Sequence, residues 1–179
     1  MAIRIERLGS DGLLRFAEID RSEHVRAHYR QRGTDLTTEP VDDQVPDVFV
    51  EGDFHSVPEL VRAWQPAVDA GGVLLGAFDE RRLAGIGLLG GEVAEGVRQL
   101  ALLFVSRPYR RLGVGRMLFG ELERAARRTG ARALYVSSVP SDSAVGFYLS
   151  CGFRPTEPLP GPFAEEPADI HMVRPLNTG

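Results

Sequence analysis

The sequence predicts an α+β fold, layered α/β/α around a mostly antiparallel mixed sheet with one βαβ crossover. Three observations point to it. Two apolar, β-prone runs, Val73 to Phe78 and Leu83 to Leu89, flank the polar loop Asp79-Glu80-Arg81-Arg82 as the arms of a hairpin. A third run, Val97 to Val105, follows the turn Gly90 to Gly96, so three strands run antiparallel. That third strand enters a basic, glycine-punctuated turn and an amphipathic helix ending at Gly130, and Ala133 to Ser138 is again a strand. Strand, helix, strand in this order makes two neighbouring strands parallel. With 179 residues, 43% hydrophobic and 26% charged, the chain has the size and balance of a single domain over residues 1–179.

The elements follow in order. Ile3 and Ile5 alternate with Arg4 and Glu6, a period of two that reads as a strand. Gly9 to Gly12 turn the chain, and Ser10 or Asp11 can cap a helix starting near Leu13, with Leu13, Leu14, Phe16, Ala17 and Ile19 as its apolar face. Val25 to Arg30 reads as a second helical piece. Gln31 to Ser56 is punctuated by Gly33, Pro40, Pro46 and Gly52 and rich in acids at Glu39, Asp42, Asp43, Asp47, Glu51 and Asp53. It is too long for a plain connector, and Val48, Phe49, Val50 and Phe54 argue for partial order. Pro58 sits at the start of a helix with Leu60, Val61, Trp64 and Val68 on one face, ended by Gly71 and Gly72. In the helix after the basic turn, Leu118, Leu122, Ala125 and Ala126 form the apolar stripe, while Arg124, Arg127 and Arg128 suit the C-terminal dipole. Ser141 or Ser143 caps a helix carrying Ala144, Phe147, Tyr148 and Cys151, closed by Gly152. A stretch with Pro155, Pro158, Pro160, Pro162 and Pro167 leads to a last strand, Ile170 to Arg174.

Composition excludes several classes of function. The net charge is −4, which argues against nucleic acid as a partner. All 21 basic residues are arginine, so no lysine can act as nucleophile or Schiff base. One cysteine, Cys151, leaves no internal disulfide and suits a reducing, cytoplasmic setting. No apolar run reaches the ~20 residues of a membrane span, and Met1 to Gly12 lacks the apolar core of a signal peptide.

The organising stretch is Leu100 to Gly130. A strand, a glycine turn and a helix N-terminus together form an anion site, because backbone N–H groups converge there and the helix dipole adds positive charge. The turn reads Arg110-Arg111-Leu112-Gly113-Val114-Gly115. No Gly-Lys-Ser/Thr follows, so it is not a Walker loop. The third glycine of a dinucleotide fingerprint is missing, and a meander precedes it.

The turn resembles that of the GNAT superfamily of acyl-CoA transferases, whose pattern is Gln/Arg-x-x-Gly-x-Gly/Ala between an apolar strand and a helix. Arg110, Gly113 and Gly115 match, and Val105 to Arg110 resembles the usual lead-in. A second match is Pro140 to Phe153, in which Ala144, Phe147, Tyr148, Gly152 and Phe153 fit and Ser141 stands where the family often has Asn. The resemblance extends over nearly the full length. Asp20-Arg21-Ser22-Glu23, Gly71 to Asp79, and Glu166 to His171 are similar to a bacterial subgroup, which names no substrate.

The resemblance implies a GNAT-like fold and an N-acetyltransferase acting by direct attack of a primary amine, on a small acceptor, with acetyl-CoA as co-substrate and no metal. It implies the CoA pyrophosphate on the backbone of Arg111, Leu112, Gly113, Val114, Gly115 and Arg116, with Arg107, Arg110, Arg111 and Arg116 available to phosphates and Ser141 lining the site. Pantetheine would lie beside Phe104, Val105 and Ser106, and an N–H near Phe104 or Val105 would polarise the thioester. Tyr148 is the general-acid candidate; its bland alternative is a core aromatic. The strand before the turn carries no carboxylate, so the base candidates are Glu18, Asp20 and Glu23, Asp169 and His171 on the last strand, the more distant Glu92 and Glu95 in the preceding turn, or an ordered water chain. Each is otherwise a surface charge. His24 and His28 have zinc-compatible spacing but no third ligand nearby, and they read as packing or surface residues. Cys151 and Trp64 read as core, with a place in the acceptor pocket as the alternative for Trp64. The acids before Ser56 suggest a cationic acceptor. No nucleic acid or membrane partner is expected, and a homodimer is compatible. The rival reading from another class is a non-catalytic acyl-CoA sensor.

Overall fold

A computed structural model describes residues 2–47, 56–159 and 168–176. The expectation of partial order at Val48, Phe49, Val50 and Phe54 lies outside them, as do Pro160, Pro162, Glu166 and Pro167. The strands are β1 (Ile3–Arg7), β2 (Glu23–Arg32), β3 (Asp35–Val45), β4 (Val73–Asp79), β5 (Arg82–Ala94), β6 (Val97–Val105), β7 (Ala133–Ser138), β8 (Arg154–Pro155) and β9 (Ile170–Pro175). The α-helices are α1 (Val57–Asp69), α2 (Val114–Arg128) and α3 (Asp142–Ser150). Seven strands form one sheet in the order β1-β4-β5-β6-β7-β9-β8, and β2 pairs with β3 as a separate ribbon. All pairings in the large sheet are antiparallel except β6 with β7, which α2 connects.

Two cores sandwich the sheet. On one face, Leu118, Leu122, Ala125 and Ala126 of α2 pack with Leu100, Leu134, Val136 and Met172. On the other, Trp64 and Leu60 of α1 and Phe16 of the segment Ser10–Glu18 cover Ile86, Leu88 and Leu102. Leu118 and Leu122 are fully buried, each worth roughly 1.5–3 kcal/mol of transfer free energy. The glycines of β5 allow this close contact: a Cβ on Gly85 would stand 2.9 Å from Leu118, and one on Gly87 2.7 Å from Leu122.

The structure corrects several expectations. Val25 to Arg30 is strand, not helix, and Gln31 to Val45 completes an antiparallel ribbon turning at Gly33 (φ +57°). The ribbon stands outside the sheet and buries fully only Val25, so no apolar period reveals it. Its position is set by distant backbone: Tyr29 N–H donates to Pro140 O at 2.8 Å, and the Gln31 carboxamide bonds both the N–H and the C=O of His171. The first helix is 3-10 over Ser10–Glu18, and its N-cap residue is Gly9, with no side-chain cap. The turn expected over Gly90 to Gly96 shrinks, because β5 continues to Ala94 through register shifts against β6. Among the described residues no helix is long and apolar enough to cross a membrane.

Candidate active site

The parallel pairing of β6 and β7 is short. Val97, Arg98 and Gln99 pair with Ala133, Leu134 and Tyr135, and no pairing continues beyond them. The cause lies in β6 itself: Leu88 and Leu89 of β5 oppose Leu102 and Leu100, which leaves Ala101 as an extra residue. A bulge of this kind bends its strand and raises its twist, so β6 leaves β7 and a fork opens between them. Ser106 N–H donates to Ala84 O at 2.9 Å. By the two-residue alternation of a strand, Phe104 also faces β5, while the N–H groups of Leu103 and Val105 face the fork. Of the two N–H groups expected to act as donor, that of Val105 faces the fork and that of Phe104 does not, and the N–H of Leu103, which sequence reasoning did not consider, faces it as well.

The glycine turn closes one end of the fork. After the buried Ser106 comes a short 3-10 turn, Arg107–Tyr109; then Arg111 (φ +61°) and Gly113 (φ +85°) reverse the chain into α2. Met117 N–H reaches Gly113 O at 3.0 Å. The N–H groups of Val114, Gly115 and Arg116 belong to the first turn, where a helix has no internal acceptors, and they point out of its N-terminus. Leu112 and Arg111 are exposed beside them. Ordered amides, a positive dipole end and exposed guanidinium suit a phosphate-bearing ligand.

The arginines divide by role. Arg110 donates from Nε to Val105 O (3.1 Å), from Nη1 to Ser22 O (2.9 Å) and from Nη2 to Asp20 O (3.4 Å). Its guanidinium thus holds the Asp20–Ser22 segment to the end of β6 and is spent on carbonyls. Arg107 donates to Ser22 Oγ at 3.2 Å and Arg116 to Ser150 Oγ at 3.0 Å; both are exposed. Arg110→Ala is expected to cost about 2–4 kcal/mol in urea unfolding, because charge-assisted bonds are lost together and carbonyls are left unpaired. Arg110→Lys should restore little, since an ammonium lacks the planar fork.

Helix α3 forms the other wall. Ser141 caps it by accepting from Ala144 N–H at 3.3 Å, so its hydroxyl is engaged within the helix. The Phe147 ring lies 3.2 Å from where a Cβ on Gly115 would stand, which brings α3 against the start of α2. Tyr148 is buried, edge-on to Phe147 and Phe153 at centroid distances of 5.5 and 5.4 Å. Burial raises its pKa well above the ordinary tyrosine value, with the neighbouring Cys151 thiol adding to the rise. Its hydroxyl makes no hydrogen bond among the described residues. The site therefore offers a protonated phenol with no hydrogen-bond partner among the described residues.

The sequence model of the acetyltransferase (GNAT) family matches residues 38–153, more than half of the chain. The chain belongs to the GNAT acetyltransferase family. Solved structures agree on the fold. A nourseothricin acetyltransferase superposes with a TM-score of 0.70 at 20% identity, covering 99% of this chain and 100% of that one. PaiA N-acetyltransferase from Thermoplasma acidophilum, in complex with coenzyme A, gives 0.65 at 17% identity over 98% and 100% of the two chains. A candidate streptothricin acetyltransferase from Bacillus anthracis str. Ames, in complex with acetyl coenzyme A, gives 0.70 at 18% identity over 100% of both. Among curated protein sequences there is no match.

In this GNAT domain most of the carboxylates considered as bases are engaged. Glu18 pairs with Arg15 at 2.6 Å, which lowers its pKa. Asp20 accepts from the hydroxyl and N–H of Ser22 at 2.6 and 2.9 Å, and these bonds lower its pKa too. Glu92 accepts from Gly96 N–H at 2.5 Å and Glu95 pairs with Arg132, both at the end of β6 away from the glycine turn. Glu23 opens β2 beside Ser22 and has no partner among the described residues. The ribbon acids expected to attract a cationic acceptor are also paired: Glu39 with Arg30, Asp42 with His24, and Asp43 with His28. The two histidines thus have carboxylate partners across the ribbon.

A polar row that the sequence reading did not assemble crosses β7 and β9. Leu159 N–H donates to Tyr135 Oη at 3.1 Å, and Tyr135 Oη lies 2.6 Å from His171 Nδ1. The hydroxyl has one proton, and we assign it to Nδ1, which leaves neutral His171 carrying its hydrogen on Nε2. Burial pushes the His171 pKa down, only partly offset by Asp169. Asp169 accepts from Ser137 at 2.6 Å. The alternation of Leu134 and Val136 with Tyr135 and Ser137 was the available signal, but the partners lie on a strand more than 30 residues away.

Proposed function

We propose that the protein is an N-acetyltransferase that moves an acetyl group from acetyl-CoA to a primary amine of a small acceptor by direct attack. The observation that carries this reading is the fork at Leu103–Val105 beside the Gly113 turn, within a GNAT acetyltransferase domain. The turn amides would take the pyrophosphate, and pantetheine would continue along the free edge of β6. A thioester carbonyl meeting the N–H of Leu103 or Val105 would be polarised, and the oxyanion that forms on attack would be stabilised more than the ground state. The amine nitrogen bonds the carbonyl carbon, the C–S bond breaks, and the electron pair leaves on sulfur. Tyr148 donates its proton to that sulfur, a role supported by its unpartnered, protonated hydroxyl. The amine's surplus proton passes to solvent through ordered water.

A thiol-release assay across a panel of primary amines, run beside calorimetry with acetyl-CoA, tests the proposal. Micromolar binding with turnover of at least one amine is expected. Binding without turnover across the panel would favour an acyl-CoA sensor, and no binding would refute both readings.

A further inference from the structure

The apex of the fork holds a buried polar side chain with no role in the chemistry above. Gln99 is the last residue of β6 paired to β7, opposite Tyr135. Its direction follows from its neighbours. Leu100, Leu134 and Val136 belong to the core under α2. A Cβ on Gly90 would meet the Cβ atoms of both Ala101 and Gln99, and Ala101 packs against the core under α1. Gln99 therefore points away from α2, on the face it shares with Tyr135 and His171. It is only 4% exposed, yet its carboxamide makes no hydrogen bond among the described residues. Among the described residues the fully enclosed side-chain polar atoms that make no hydrogen bond are Ser56 Oγ, Trp64 Nε1 and Asp142 Oδ1, so the Gln99 carboxamide keeps a small contact with the open fork, where a water or a ligand can complete it.

We propose that Gln99 recognises the acceptor: its carboxamide oxygen accepts, directly or through one water, a hydrogen bond from the incoming amine, and acceptors therefore enter as the free base, which selects α-amino groups over alkylamines. This rests on the acetyl-transfer reading above. A carboxamide is neutral and gives an ammonium none of the stabilisation a carboxylate would. The charged and titratable groups around it do not supply that either. On β5, Glu92 is taken by Gly96; on β6, Arg98 is turned to Gly90 O; on β7, Tyr135 is turned to His171; on β9, His171 Nδ1 is taken by Tyr135, and just before it Asp169 by Ser137. Glu23 stands at the opposite end of the fork, next to Ser22, which Arg107 and Arg110 bind. Near pH 7.4 an α-amino group is about one-quarter free base and an alkylamine about one-thousandth, so the discrimination is on the order of 10²-fold.

Two readouts test this. Gln99→Met, close in shape and apolar, should leave Tm within about 2 °C, because no protein hydrogen bond is lost. The same variant should lower kcat/KM for a short unblocked peptide at least ~10-fold, with acetyl-CoA affinity unchanged by calorimetry. A larger fall in Tm would mean that the carboxamide has a structural partner, and the proposal would be lost. In the wild type, log kcat/KM should rise with pH at unit slope and level at each acceptor's own pKa, lower for the unblocked peptide than for Nα-acetyl-lysine amide. Gln99→Glu should move both limbs to lower pH. A limb at one fixed pH for both amines would show an enzyme group titrating instead and would overturn the assignment. If acetyl-CoA binds but no amine in the panel turns over, the acetyltransferase reading itself fails, a result distinct from either of these.

Discussion

Gly113→Val is expected to abolish measurable acetyl-CoA binding, a loss of at least ~100-fold by calorimetry, while Tm falls by only a few degrees. Gly113 has φ +85° and serves as the N-cap of α2. A β-branched residue is disfavoured there by ~1–2 kcal/mol or more, because its Cβ crowds the following carbonyl. The chain can relieve that strain by re-forming the turn, and it then turns aside the N–H groups of Val114 to Arg116. A Cβ at Gly113 would meet nothing within 4 Å, so the protein interior does not exclude it and the fold should survive. The space it would enter lies at the mouth of the proposed anion site. Gly113→Asn separates the two effects, since Asn tolerates the left-handed conformation yet still fills that space. Recovery with Asn would assign the loss to backbone geometry; continued loss would assign it to the close approach of the ligand. Undiminished binding by the valine variant would mean that the turn does not hold the co-substrate.

Tyr148→Phe is expected to lower kcat by about 10²-fold with acetyl-CoA affinity within twofold, measured by thiol release and calorimetry. The packing change is small, because the ring contacts with Phe147 and Phe153 do not involve the hydroxyl. Removing a hydroxyl with no protein partner should leave Tm unchanged or slightly higher. The pH dependence has a defined sign. Burial favours the neutral phenol, so Tyr148 stays protonated below its ordinary pKa of ~10 and should cause no loss of activity through the neutral range. Equal kcat in the two proteins would reduce Tyr148 to a packing residue.

Some elements were legible because local chemistry alone specifies them. The hairpin of β4 and β5 rests on two apolar runs around charged residues, and α2 on a stripe from Leu118 to Ala126 between two glycines. Ala133 to Ser138 has the predicted bounds, because turn residues fence a short apolar run on both sides. The ribbon of β2 and β3 was not legible. Its residues are mostly polar on both faces, and what holds it are bonds from Tyr29 and Gln31 to backbone more than 100 residues away. Arg110 shows the same division. Its place in the glycine motif is a matter of sequence, but its bonds to Asp20 and Ser22 are formed across the fold.

The sequence by itself determined the fold class, the glycine turn that opens α2, the crossover that makes β6 and β7 parallel, and Tyr148 on the helix opposite. Hydrophobic period, glycine at a left-handed position and a helix stop are properties of neighbouring residues, so they survive in one dimension. Only the tertiary structure decided that the parallel pairing ends at Gln99 and Tyr135, that Leu103 joins Val105 in facing the fork, and that the Gln99 carboxamide lies at its apex with no hydrogen bond among the described residues. Those outcomes depend on one residue of slip between β5 and β6 at Ala101. Register is a relation between strands, and a one-residue difference in it changes which groups face the ligand without changing the apolar pattern of either strand.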